Sequence, residues 1–300
     1  MTLTSTDPPS ATIIDGIAMS RVMLDETAAE IARISSEVGS APSICVVRIG
    51  DDAASGVYAR RIIRTAERIG AAGRSIELDG DTDEATVRRT MRELSDDASV
   101  AGIILQLPLP ASLSQAAVVD DLDPAKDLDG IHPQNAGRVA RDEGGFAPSC
   151  PEAALEMLTR SGTELRGRQA VVVGRSNVVG KPAQLLLMRA DATVTVCHRR
   201  TLDLAREVQR ADVLVVAAGV PGLITGDMVR PGATVIDCGI NVLPDGSLAG
   251  DADATTVPPV AGAFTPVPGG VGPVTNAVLM SHLAIAAGRR TAASAAMSSS

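Results

Sequence analysis

Two kinds of apolar spacing alternate along the chain. SICVVRIG at 43–50, RSIEL at 74–78 and VAGIILQLPL at 100–109 are runs of strand length that are apolar nearly throughout. Helical spacing fills the intervals, from about Ser55 to Ile69 and from Glu84 to Leu94, and an earlier helical segment runs from roughly Ala18 to Val38. Strands without a polar face, separated by helices, predict a parallel sheet covered on both sides.

A helix entered through PSCPEAA, from Pro151 to Ser161, leads into a second alternation. Strands are expected near 169–173, 192–197, 212–217 and 233–238, with helices near 181–189 and 202–209, the pattern of a doubly wound nucleotide-binding unit. The Gly/Pro-rich TPVPGGVGPVTNAVLM opens a last apolar helix, about Val274 to Ala287, and GRRTAASAAMSSS reads as a disordered tail over 289–300. The expected fold class is therefore α/β with two lobes, residues 1–150 and 151–273, the boundary falling in the helix near 151–163.

Composition narrows the partners. A formal charge of −9 argues against nucleic acid, whose phosphates such a chain repels. Cys45, Cys150, Cys197 and Cys238 form no CxxC pair, and the three histidines show no ligand spacing, so no metal is expected and the thiols read as free, in a reducing compartment. MTLTSTDPPSAT has neither a basic nor an apolar leader region, and no apolar run reaches about 18 residues, so the expectation is a soluble, cytoplasmic protein without a membrane partner. Aromatic residues are 1 % of the chain, Tyr58 is the one tyrosine, and Lys126 and Lys181 are the lysines.

Several motifs carry candidate chemistry. VVVGRSNVVGKP at 171–182 follows a strand and opens a helix. Gly174 permits a tight turn and Gly180 a close approach, while Arg175, Ser176 and Lys181 suit a pyrophosphate or 2′-phosphate. One strand later, VCHRRT at 196–201 offers His198, Arg199 and Arg200 where an acidic residue would hold the ribose of NAD, which favours NADP. DPAKDLDGIHPQNAG at 123–137 gathers carboxylates and Lys126 in a loop of no regular period; a solvated, capping turn explains it equally, and His132 is more simply structural. GGVGP is either a plain loop or a backbone surface for a flat ligand.

In this order and spacing, GDDAASGVYARR, GIILQLPLP, PAKDLDGIHPQNAG, VVVGRSNVVGKP, ATVTVCHRRT, GATVIDCGIN and TPVPGGVGPVT resemble the signatures of the bifunctional methylenetetrahydrofolate dehydrogenase/cyclohydrolase family, over about residues 12–290. The resemblance implies an N-terminal catalytic lobe that binds tetrahydrofolate one-carbon derivatives, a Rossmann-type NADP lobe, a homodimer, and a last helix (274–288) that rejoins the first lobe. It also implies site residues. Tyr58 should stack on the folate, Gln106 should line the site, and Asp129 should hydrogen-bond the pterin. Pro268, Gly269 and Gly272 should form the cleft wall, and Gly174, Arg175, Ser176, Arg199 and Ile240 should meet NADP.

Two departures stand out. The family writes Y-x-x-x-K, and ungapped alignment from Gly50 to Gly70 puts Ile62 at the lysine; PSCP at 148–151 replaces the usual P-C-T-P. Hydride loss from 5,10-methylenetetrahydrofolate to NADP is driven by the nitrogen lone pair and needs orientation, not a base. Hydrolysis of the methenyl product needs a proton carrier, which Ile62 cannot be and which a permanently charged Arg61 or Arg64 serves poorly. The expected activity is an NADP-dependent dehydrogenase with weak or lost cyclohydrolase. The alternatives are a bifunctional enzyme with another proton route and a non-catalytic paralogue that binds NADP and folate.

Overall fold

The structure is a computed structural model and describes residues 11–298. The chain divides into two compact units, one of residues 1–19 and 150–275, the other of residues 20–149 and 276–300. In chain order the first half runs β1 (Thr12–Ile13), α1 (Gly16–Val38), β2 (Ser43–Ile49), α2 (Ala53–Arg68), β3 (Ala72–Leu78), α3 (Glu84–Asp96), β4 (Gly102–Leu105), α4 (Gln115–Val119) and α5 (Pro133–Ala140). The second half runs α6 (Ser149–Arg160), β5 (Gln169–Val173), α7 (Gly180–Arg189), β6 (Thr193–Cys197), α8 (Leu204–Val208), β7 (Val213–Val216), β8 (Thr234–Asp237), β9 (Asn241–Val242), β10 (Leu248–Ala249), β11 (Ala263–Phe264) and α9 (Val271–Ser298).

The unit built on residues 20–149 has a parallel sheet of order β3-β2-β4, with Val46 of β2 opposite Ser75 and Ile104. Every residue of β4 is buried, and Cys45, Val47, Ile103 and Leu105 join Val87, Met91 and Leu94 of α3 in one core. β4 ends at Leu105, short of the run expected to 109, because Pro108 and Pro110 cannot donate to a ladder. Beyond β4 the backbone of Lys126–Leu128 adds a short parallel bridge, Ile103 N to Lys126 O (2.7 Å) and Leu128 N to Ile103 O (3.2 Å). That bridge delivers residue 129 to the carboxyl end of the strands.

The other unit is a six-stranded sheet of order β1-β11-β8-β7-β5-β6, parallel throughout. β5 lies between β6 and β7, so strand order reverses beside β5, as in doubly wound folds. The antiparallel pair β9-β10 stands apart from it.

The last helix corrects the expected tail: α9 continues to Ser298, well past Ala287. No proline follows Gly288, and alanine, the strongest helix former, dominates the sequence there. Over Val271–Thr291 this helix is long and apolar enough to cross a membrane, but 67 % of its apolar window is buried in the fold, as in a core helix. The first ten residues and the last two lie outside the described residues.

Candidate active site and cofactor site

Each unit brings a group of the expected residues to the carboxyl ends of its own strands. In the unit of residues 20–149, α2 begins at Asp52, whose carboxylate accepts from Ser55 N at 2.7 Å and caps the helix. Its buried stripe is Gly56, Ala59, Ile62, Thr65, Ala66 and Ile69, with Ile62 completely enclosed. Arg60, Arg61, Arg64 and Arg68 are all exposed, so no charged side chain lies on the buried stripe. Val57 and Tyr58 fall off the stripe: Tyr58 keeps 40 % of its surface, while Ile62 one turn later is shut into the core.

Gln106, the first residue past β4, is buried. In its satisfied orientation the side-chain amide donates to Ser55 O (3.0 Å) and its oxygen accepts from Ala59 N (3.3 Å). Gln106 is thus docked on the backbone of the turn that carries Tyr58, and these two expected site residues are brought together.

The Asp-rich loop separates into scaffold and site. Asp127 is buried and fully engaged within the loop, accepting from the backbone at Ile131 N (3.2 Å) and His132 N (2.8 Å) and from the Asn135 side chain at Nδ2 (2.9 Å). His132 is the N-cap of α5, its Nδ1 accepting from Gln134 N at 3.0 Å, a structural role. Lys126 is structural as well: its buried ammonium donates to Leu94 O (3.1 Å), Ser95 O (2.5 Å) and Asp97 O (2.8 Å), closing the end of α3. Desolvation lowers its pKa, reinforced by Arg290.

Asp129 differs. It keeps partial exposure, and among the described residues its hydrogen bonds fall on Oδ1, which accepts from Ser149 Oγ at 2.5 Å and Ser149 N at 3.4 Å. Burial pushes its carboxyl up, and the two Ser149 hydrogen bonds work against that. On α9, His282 is bonded through Nδ1 to Leu128 O (2.7 Å) and packs on Phe146, which fixes the backbone next to Asp129.

In the other unit the turn after β5 is built by glycine. Gly174 has φ of +136°, and a Cβ there would stand 2.2 Å from Ala217 O; one on Gly180 would stand 2.2 Å from Gly174 O. The exposed residues Arg175, Ser176, Asn177 and Val178 follow, and their successive backbone N–H groups have no acceptor among the described residues. Such a run of N–H groups beside a guanidinium fits a pyrophosphate. The helix start contributes less than expected: Ser176 Oγ accepts from Val179 N, Ser176 O accepts from Lys181 N, and Pro182 has no N–H. Lys181 Nζ is turned to Asn177 Oδ1 at 2.8 Å.

Arg199 and Arg200 are exposed just past β6. Ile240 is 62 % exposed after β8, and Gly272 faces it, a Cβ there lying 3.9 Å from Ile240 Cδ1. Gly269 takes a φ of +102° beside Pro268. Sequence reasoning missed Asp237 and Asp251, both buried among backbone amides of this unit. Among the described residues, no group of three His, Cys, Asp or Glu is arranged to hold a metal.

Known proteins resemble both parts of the chain. Residues 14–129 match the catalytic domain of tetrahydrofolate dehydrogenase/cyclohydrolase, and residues 148–291 its NAD(P)-binding domain. The chain is 51 % identical over 274 residues to the bifunctional protein FolD of Chloroflexus aurantiacus, covering 91 % of this chain and 96 % of that one. It is similar to the crystal structure of the bifunctional FolD enzyme of Campylobacter jejuni (TM-score 0.91, 35 % identity, 94 % and 100 % of the two chains). It is also similar to the Trypanosoma brucei methylenetetrahydrofolate dehydrogenase-cyclohydrolase solved with NADP and an inhibitor (TM-score 0.89, 33 % identity, 94 % and 99 %). With both domains matched in order along one chain, the protein belongs to the tetrahydrofolate dehydrogenase/cyclohydrolase family.

Proposed function

We propose that this protein is an NADP-dependent methylenetetrahydrofolate dehydrogenase in which the cyclohydrolase step is weak or lost. The observation that carries the reading is Ile62: it aligns with the lysine of the Y-x-x-x-K motif, it is fully enclosed, and the buried stripe of α2 around it contains no titratable side chain. Gln106 points the same way, since its amide is spent on Ser55 O and Ala59 N.

The remaining groups suit the redox step. Tyr58 offers a ring face to the pterin, and the open oxygen of Asp129 can accept from the pterin's N–H groups, which fixes the methylene carbon. Expulsion of hydride by the adjacent nitrogen lone pair then needs orientation alone. Bound NADP supplies the hydride acceptor; the turn Gly174–Val178 and Arg199 hold its phosphates, and Ile240, Pro268, Gly269 and Gly272 offer a close, flat wall. The chain works as a homodimer.

A second reading is a bifunctional enzyme with another proton route. It is favoured by the bifunctional name of the 51 %-identical relative, and by Asp129, whose carboxyl burial pushes above the usual carboxylate range. The test follows NADPH formation from 5,10-methylenetetrahydrofolate and, separately, decay of the methenyl compound. The first reading requires NADPH formation with decay near the spontaneous rate; it also expects Ile62→Lys to raise the decay. NADP and folate binding without NADPH formation would indicate a non-catalytic paralogue.

A further inference from the structure

In doubly wound sheets, ligands enter the crevice outside the carboxyl ends of the strands where strand order reverses. In this unit that crevice opens between the turn after β5 and the loop after β7. The two walls touch through backbone, Gly174 against Ala217 O. The β7 wall, Ala218-Gly219-Val220-Pro221, is exposed and has no polar side chain with which to hold its shape.

A carboxylate from far along the chain holds it instead. Asp251 is fully buried, and its Oδ2 accepts from Ala218 N (2.6 Å) and Gly219 N (2.8 Å) while its Oδ1 accepts from Val220 N (2.9 Å). Oδ1 also accepts from Asn241 Nδ2 at 2.9 Å, which ties the loop after β8, the one that carries Ile240, to the same group. The packing leaves no slack: a Cβ on Gly239 would stand 2.3 Å from Asp251 Cγ. Asp251 is itself fixed from behind, its N donating to Asp237 Oδ1 (3.1 Å) and Ala252 N to Asp237 Oδ2 (2.8 Å).

We propose that Asp251 is a positioning residue for the dinucleotide, clamping the loops after β7 and β8 into one wall of the crevice and so setting the affinity for NADP. Asp251 is enclosed and touches no ligand; it acts through the backbone of 218–220 and through Asn241. Three N–H groups and an amide need an acceptor with both oxygens free, which a carboxylate provides and a carboxamide does not.

The inference rests on the reading of this unit as the NADP lobe, which the parent protein's own NADP titration tests separately. The experiment titrates NADP calorimetrically into the full chain and into Asp251→Asn and Asn241→Ala, with amide exchange measured over residues 217–223. Expected are a rise in Kd of roughly tenfold or more for Asp251→Asn and about threefold for Asn241→Ala, with faster exchange at 218–220 in both. A folded Asp251→Asn with unchanged Kd overturns the proposal. If that variant does not fold, Asn241→Ala decides: faster exchange with unchanged affinity shows that the clamp has no bearing on the cofactor. A parent chain that fails to bind NADP removes the NADP reading and the clamp's role with it.

Discussion

Each unit places a pair of aspartates beside the carboxyl ends of its strands, and the pairs are bonded differently. Asp237 and Asp251 are both committed to backbone amides, three for each carboxylate. Asp127 accepts from two backbone amides and the Asn135 side chain, whereas among the described residues the hydrogen bonds to Asp129 come from Ser149, on Oδ1. The first arrangement shapes loops; the second, on the proposed reading, keeps a side chain for the ligand itself. A unit that recognises through backbone tolerates side-chain change at its rim, whereas one that works through a few side chains changes its chemistry when one is replaced. On the proposed reading, Ile62 is such a replacement.

The contrast can be broken most sharply at Asp129. Asp129→Asn keeps the Ser149 contact within reach but loses the carboxylate, and should lower kcat/KM for methylenetetrahydrofolate by roughly 10²- to 10³-fold, read from NADPH formation. A change below about threefold would mean that the open oxygen is not used.

Asp237 gives a test in the other unit through pH. Desolvation raises its pKa to about 6 despite hydrogen bonds from Ala252, Gly239 and Asp251, and the neighbouring Asp251 charge adds to the rise. A carboxyl raised above its unfolded value of 3.8 favours the fold most when protonated, so its contribution is full below 3.8 and is lost as pH rises through about 6. The span corresponds to about 3 kcal/mol. The Tm difference between the parent and Asp237→Asn should therefore move against the parent between pH 4 and 7. A pH-independent difference would remove Asp237 as the titrating group.

Smaller effects separate scaffold from site. Lys126→Met leaves three carbonyls, one buried and two half-buried, without their donor and should cost about 2 kcal/mol in denaturant unfolding, with KM for folate nearly unchanged. Smaller still, charge reversal of Arg60 and Arg61, both exposed, should leave stability within about 0.5 kcal/mol. A rise in the KM of a polyglutamylated substrate in that variant would give these arginines a role in binding the substrate's tail.

The parts that were legible in the sequence share a physical cause. β5 occupies 169–173 as expected, because its Ala170–Val173 run, buried on both faces, is apolar throughout. The Gly174 and Gly180 positions were readable because close backbone approach excludes any Cβ. The two-residue strands β9, β10 and β11 and the short α4 carry too few residues to show a period. α5 lay hidden in a loop of capping residues, since Asp127 and His132 serve backbone groups that no side-chain pattern reveals. Asp251 was unreadable for a related reason: its partners are backbone N–H groups 31 to 33 residues earlier in the chain. The placement of Tyr58 relative to Ile62 also needed the structure, because i and i+4 positions are neighbours on a helix yet one lies off the buried stripe and the other on it.

The central claim is that an apolar, enclosed residue 62 separates hydride transfer from hydrolysis. Its most direct test is the ratio of the two rates in one preparation, NADPH formation from methylenetetrahydrofolate against enzyme-dependent decay of methenyltetrahydrofolate, in the parent and in Ile62→Lys. The account predicts ready NADPH formation with decay close to the spontaneous rate in the parent, and a gain in decay of roughly tenfold or more in Ile62→Lys. Decay in the parent far above the spontaneous rate, at a pace comparable with NADPH formation, would contradict it and identify a working proton route elsewhere in the site.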